Sequence, residues 1–293
     1  MPDPAAILWS MSEVMWDECP DLNRPILLLA FEGWFDAGEC ATSSVKWLTQ
    51  RHAAEPVANI DPEEFFDFQE NRPEVRLDAN GIREIRWPEN RVFAAPVGPE
   101  HDLVMLAGVE PRLKWRTFTD SVMEVVDRTS AEMVVTLGAM VGSVPHTRPA
   151  VVKGSSTNQD LAGRLGLDRP SYQGPTGIMG ALHDTLDRND VPVLSLRVAV
   201  PHYVSGPSNP KGQQALLRKL EQVLGMDAAS SDLDAAVLEW EERVSGAVGA
   251  DEEVLEYVQR LEEEADRDAE TNLPSGDDLA AEFQRFLRRN GDG

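Results

Sequence analysis

The six apolar residues from Ile26 to Phe31 run directly into a turn bracketed by Gly33 and Gly38, and this junction constrains the fold more than any other stretch. A strand with no polar alternation must be covered on both faces, which is the pattern of a central strand in a parallel sheet. Beyond the turn, Asp36 stands at a helix N-cap position, and Ala41, Val45 and Leu48 recur at helical spacing. Open α/β sheets bind ligands where strands end at such turns, so this segment marks where a site can lie.

Further short runs rich in Val, Ile or Leu predict strands over Val57 to Ile60, Val92 to Ala94, Asp102 to Ala107, Met133 to Leu137, Val151 to Lys153 and Val193 to Val200. Helical patterns fall between them, over Ala37 to Gln50, Arg112 to Arg128, Asn158 to Leu165 and Gly177 to Arg188. The segment Asp61 to Pro99 is interrupted by Pro62, Pro73, Pro88, Pro96 and Pro99, which predicts a short helix and a peripheral hairpin rather than sheet centre. Alternating strands and helices argue for a three-layer α/β/α sandwich over residues 1–205.

After Tyr203 the pattern changes. Gly206-Pro207-Ser208-Asn209-Pro210 breaks the chain, and beyond it only helical spacing survives. Leu216, Leu220 and Val223 form one stripe; Leu233, Val237, Trp240 and Val244 a second; Val254, Val258, Leu261 and Ala265 a third; Leu279, Phe283 and Phe286 a fourth. Each stripe is about one helix face wide and acids fill the rest, so residues 206–293 are expected to be an acidic, all-helical region that docks on the core as a cap.

Charge narrows the choice of partners. The net charge is −24, and residues 221–293 carry 21 acids against 6 arginines and no lysine. Such a surface repels phosphate backbones and anionic lipid, which argues against nucleic-acid and membrane partners. It either keeps a helix face solvated or attracts a basic protein. No stretch approaches the roughly 18 apolar residues that span a bilayer. Residues Met1 to Asn23 lack the basic start of a secretory signal, so a cytoplasmic protein is expected. Cys19 and Cys40 lack metal-site spacing and read as reduced, buried thiols.

The residues able to carry chemistry lie at predicted strand ends. His202 and Tyr203 follow the last strand, where α/β active sites commonly place an imidazole and a phenol. His146 and Arg148 lie in a loop pinned by Pro145 and Pro149, where a guanidinium fork can bind an anion or make a structural ion pair. Glu32 and Asp36 flank the first turn, with Asp36 as the cap. These six residues are expected on one rim of the sheet, as a ligand or interface cluster. Gly174, Thr176 and Gly177 open a helix whose free N–H groups can hold an anion or simply be capped. No phosphate loop, dinucleotide fingerprint, nucleophile–base pair or metal-ligand spacing is present, so neither a cofactor nor a metal is expected, and no catalytic residue is assigned.

Several strings together resemble one family. Gly33-Trp34, Asp36-Ala37-Gly38, Glu110-Pro111 with Trp115-Arg116, Pro145 to Pro149, Tyr172 to Gly177, Pro201-His202-Tyr203 and Leu273 to Leu279 occur in order across nearly the whole chain. They are similar to the actinobacterial branch of the proteasome-assembly-chaperone 2 (PAC2) family, with Phe35 departing from the usual polar residue. The resemblance implies a sandwich akin to phosphorylase/hydrolase-like folds, and a homo-oligomer, a trimer being one form it allows. It implies a non-enzymatic assembly or interaction protein; the fold analogy leaves open a small-molecule binder or a hydrolase/phosphorylase-like enzyme. Relatives that dock on the proteasome ring do so through a C-terminal hydrophobic-Tyr-any tripeptide, whereas this sequence ends Asn290-Gly291-Asp292-Gly293, so that route is not expected.

Overall fold

A computed structural model describes residues 13–204, 206 and 208–271. The expected stripe at Leu279, Phe283 and Phe286 lies outside the described residues. Eight strands form one mixed sheet in the order β1-β3-β6-β7-β2-β8-β10-β9. The four inner strands β7 (Asp102–Val109), β2 (Ile26–Glu32), β8 (Met133–Gly142) and β10 (Val193–Pro201) are parallel. Around them β6 (Asn90–Pro96), β3 (Glu55–Ile60), β1 (Val14–Trp16) and β9 (Val152–Ser155) pair antiparallel. A separate hairpin, β4 (Glu74–Leu77) and β5 (Arg83–Arg86), stands off the sheet.

The apolar run of β2 is buried on both sides because helices cover both faces. On one face α1 (Cys40–Arg51) and α5 (Pro210–Leu224) bury Val45, Leu48, Leu216, Leu217 and Leu220 against Leu28, Leu137 and Leu196. On the other α2 (Trp115–Thr129) and α4 (Ile178–Arg188) bury Phe118, Val122, Leu182 and Leu186 against Leu27, Leu29 and Val134. A short helix, α3 (Gln159–Leu165), adds Leu161 to the first face. The sandwich therefore has three layers, with α5 contributing to it from the helical region.

Beyond α5, helices α6 (Asp234–Gly249) and α7 (Glu252–Thr271) pack on each other through Trp240, Val244, Val248 and Val258, with Tyr203 and Val204 against them. The expected short helix and hairpin between Asp61 and Pro99 are found at Pro62–Glu64 and β4–β5. One part of that segment differs from expectation. Strand β6 lies inside the sheet, between β3 and β7, because its only strand proline is Pro96 at the terminal residue. Cys40 is buried, but Cys19 is partly exposed, so the expectation of two buried thiols holds for one. No helix among the described residues is long and apolar enough to cross a membrane.

Candidate functional site

The carboxyl ends of β2, β7, β8 and β10 point the same way, and their loops build the region of interest. At the end of β2 the chain turns through Gly33 at φ 139° and Gly38 at φ 65°, conformations that suit glycine. The Asp36 carboxylate accepts from the Ala41 N–H at 2.7 Å, the Thr42 N–H at 3.3 Å and the Thr42 hydroxyl. It caps α1 from outside the helix, and burial raises its pKa against those three donors. Glu32 pairs with Lys46 at 2.6 Å. Phe35 packs its ring on Gly138, a position any side chain would block.

Glu110, at the end of β7, was not singled out from the sequence as a site residue. Its Oε1 lies 3.4 Å from the Ile178 N–H at the start of α4. A Cβ on Gly33 would come within 2.6 Å of Oε2, and one on Gly177 within 3.1 Å of Oε1. The helix start expected from Gly174, Thr176 and Gly177 thus already receives a carboxylate from this chain. The sequence signal was the Glu110-Pro111 pair immediately after a strand.

His146, Arg148, His202 and Tyr203 gather at the ends of β8 and β10. The Tyr203 hydroxyl accepts from the His146 backbone N–H at 2.8 Å and shares a hydrogen bond with His146 Nδ1 at 2.9 Å. On the other side of the ring, Nε2 is 3.0 Å from the Ser245 hydroxyl of α6. Burial, reinforced by the Lys211 charge, lowers the His146 pKa, and burial raises that of Tyr203, so both are neutral at pH 7. His202 Nδ1 lies 3.1 Å from the Gly142 carbonyl, and its ring meets Tyr203 and Tyr257 edge to face.

Arg148 forks onto Asp266 of α7 at 2.7 and 2.9 Å, Thr147 donates to Glu262, and Lys211 donates at 2.5 Å both to the His146 carbonyl and to Glu241 of α6. These partners lie 30 to 118 residues away in sequence. No hydrogen bond or ion pair among the described residues joins this group to Glu32 and Asp36. The rim residues therefore fall into two sets: one shapes the β2 turn, the other grips the acidic helices.

Beside the second set, a surface cavity of about 520 Å³ opens between α5, α6 and the loop before β9. Pro149, Ala150, Val152 and Val237 line it together with Lys211, Arg218 and Lys219. Lys211 and Arg218 pair with Glu241 and Asp234, leaving Lys219 without an ion pair among the described residues. No group of three or more His, Cys, Asp or Glu suited to a metal ion occurs among those residues.

This geometry defines a class: an α/β sandwich whose strand-end loops hold the two helices α6 and α7. The chain belongs to the PAC2 family, whose family model matches residues 30–248. It is similar to a PAC2 family protein from Streptomyces avermitilis, with 41% identity over 80% of this chain and 99% of that one and a TM-score of 0.75. A proteasome-assembly chaperone homologue from Mycobacterium tuberculosis is 39% identical over 80% of this chain and 99% of its own, with a TM-score of 0.72. An archaeal proteasome activator from Pyrococcus furiosus shares the fold at 17% identity over 80% of this chain and 97% of its own, with a TM-score of 0.64. A search of curated proteins found no match.

Proposed function

We propose that this protein acts by binding other proteins, as a non-enzymatic, assembly-chaperone-like member of its family, in the cytoplasm and as a homo-oligomer. The observation that carries this reading is the state of His146 and Tyr203. Ligands in α/β proteins bind at open strand ends; here one imidazole nitrogen is engaged by the Tyr203 hydroxyl and the other by Ser245 of α6. Helices α6 and α7 are then a cap docked on the core, and their outward acids are the surface for a basic protein partner. Membership of a family that includes a proteasome-assembly chaperone homologue supports the same reading.

A pull-down tests it. Glu263→Gln with Glu264→Gln removes two charges from α7 and spares Glu262, which Thr147 and Arg148 use. Loss of a specific partner at low salt, with an unchanged circular dichroism spectrum, is the expected result. An identical set of partners in both proteins contradicts the basic-partner surface.

A second reading has one observation in its favour. The 520 Å³ cavity is lined by Lys219 together with Pro149, Ala150, Val152 and Val237, a mixture of cationic and apolar groups that suits a small organic anion and a binding or phosphorylase/hydrolase-like protein. Stoichiometric retention of such a molecule by the purified protein would move this reading to first place.

A further inference from the structure

The β4–β5 hairpin carries apolar surface that the described residues leave uncovered. Val75, Leu77, Ile82, Ile85 and Trp87 are 47 to 70% exposed. Register places Val75 opposite Ile85 and Leu77 opposite Arg83, so alternation puts Val75, Leu77 and Ile85 on one face with Arg83, and Trp87 continues it. The other face is charged, with Glu74 opposite Arg86 and Arg76 opposite Glu84. Neither strand joins the large sheet, and the Trp87 ring meets Phe68 edge to face, at 4.9 Å between centroids. A lone two-stranded hairpin is marginal in water, so an apolar face on one calls for a cover.

The course of the chain brings residues 1–12 to the same place. The Asp61 N–H donates to the Glu13 carbonyl at 2.8 Å, Val14 pairs with Ile60, and Ile60 pairs with Asn90, the first residue of β6. Glu13 and Asn90 therefore lie at one end of the sheet, two strand spacings or about 10 Å apart. The chain preceding Glu13 and the hairpin preceding Asn90 both meet the sheet at that end. Ile7 is at most about 20 Å from Glu13 along an extended chain, so it can reach the root of the hairpin.

Composition selects this segment as the occupant. Residues 4–12 read Pro-Ala-Ala-Ile-Leu-Trp-Ser-Met-Ser and hold no charge, in a chain that is 27% charged. Residues 272–293, by contrast, hold seven charged side chains. Ile7, Trp9 and Met11 recur at every second position, the period at which Val75 and Leu77 recur on β4 and Ile85 and Trp87 on and after β5. We infer that residues 7–11 cover the hairpin of their own chain, with Ile7, Trp9 and Met11 packed on Val75, Ile85 and Trp87. Tethering makes the contact intramolecular, so it holds whatever the protein concentration. It gives the hairpin the third element it lacks and ties it to β1. The inference is independent of the oligomeric state and of the acidic surface in the proposed function.

The test is the reactivity of a thiol placed on the covered face, in the full chain carrying Cys19→Ala. Cys40 is buried, so Ile85→Cys supplies the reactive thiol. A maleimide should label it about tenfold faster once Ile7→Ser and Trp9→Ser are added, because those changes remove the two largest apolar anchors of the cover. Both substitutions lie outside the packed sandwich, and the circular dichroism spectrum should not change. Equal labelling rates in the two proteins overturn the inference, whether the face is open in both or covered by something else.

A second measurement places the contact. Trp9→Cys combined with Ile85→Cys should form a disulfide within one chain on mild oxidation, with both new thiols lost and the mass of a single chain kept under denaturing, non-reducing conditions. A covalent band at twice that mass assigns the cover to a second copy and overturns the inference. Persistence of both thiols shows that residue 9 does not reach Ile85 and overturns it as well.

Discussion

Arg148 donates to both carboxylate oxygens of Asp266, at 2.7 and 2.9 Å, and so ties the loop after β8 to α7 across 118 residues of sequence. A fork of this kind fixes orientation as well as charge, which a point charge does not. The Asp266 pKa is lowered by this hydrogen bond, and that of Arg148 is raised by it.

Removing the fork should loosen α7 and little else. In Arg148→Ala, amide exchange is expected to quicken across Glu252–Thr271 while β2, β8 and β10 keep their protection. Arg148→Lys should recover only part of the loss, and high salt should weaken the contact in wild type because the pair is solvent-accessible. Unchanged exchange in α7 would show that the apolar contacts at Trp240 and Val258 hold the helix without the fork.

The turn after β2 makes a separate prediction. Gly33 has φ 139°, and a Cβ there would come within 2.6 Å of Glu110 Oε2. Gly33→Ala should therefore destabilise the protein by about 1–3 kcal/mol, measured by urea unfolding. Part of that cost comes from displacing Glu110 from α4, so Glu110→Ala added to Gly33→Ala should cost less than the two changes separately. Strict additivity would contradict the contact.

His183 makes stability depend on pH. It lies 2.8 Å from the Thr136 hydroxyl, and burial pushes its pKa down to about 4, with Arg197 adding to the lowering and Asp187 opposing it. In the unfolded chain the imidazole returns to its ordinary value of 6.5 and takes up its proton first. The unfolded state thus binds more protons between these values, and stability falls as pH drops from about 6.5 towards about 4. The contribution is at most about 3 kcal/mol. His146, also lowered by burial, acts in the same sense and cancels when wild type is compared with His183→Gln. The two unfolding curves should diverge below pH 6.5, with the variant losing less; parallel curves would contradict the assignment.

Local chemistry made much of the fold legible. The unbroken run of β2 required cover on two faces, and the stripes of α1, α2, α4 and α5 supplied it. Strand β6 was expected, but at the periphery, because nearby prolines weighed against a place inside the sheet, although Pro96 at its end leaves both ladders intact. The residues His146, Arg148, His202 and Tyr203 could be picked out as polar groups at strand ends. Their partners could not: Ser245 is 99 residues from His146, and no spacing rule links a loop to the face of a distant helix. Glu110 was missed for a related reason, since a carboxylate meeting the start of a helix 68 residues away leaves no periodic trace.

The most direct test of the account is native mass spectrometry of the protein isolated from the cells that make it, under conditions that preserve complexes. The proposed function predicts particles in which copies of the 32.4 kDa chain are joined to each other and to a co-purifying protein, without a stoichiometric small molecule. A lone 32.4 kDa chain retaining one small organic anion per molecule would contradict it.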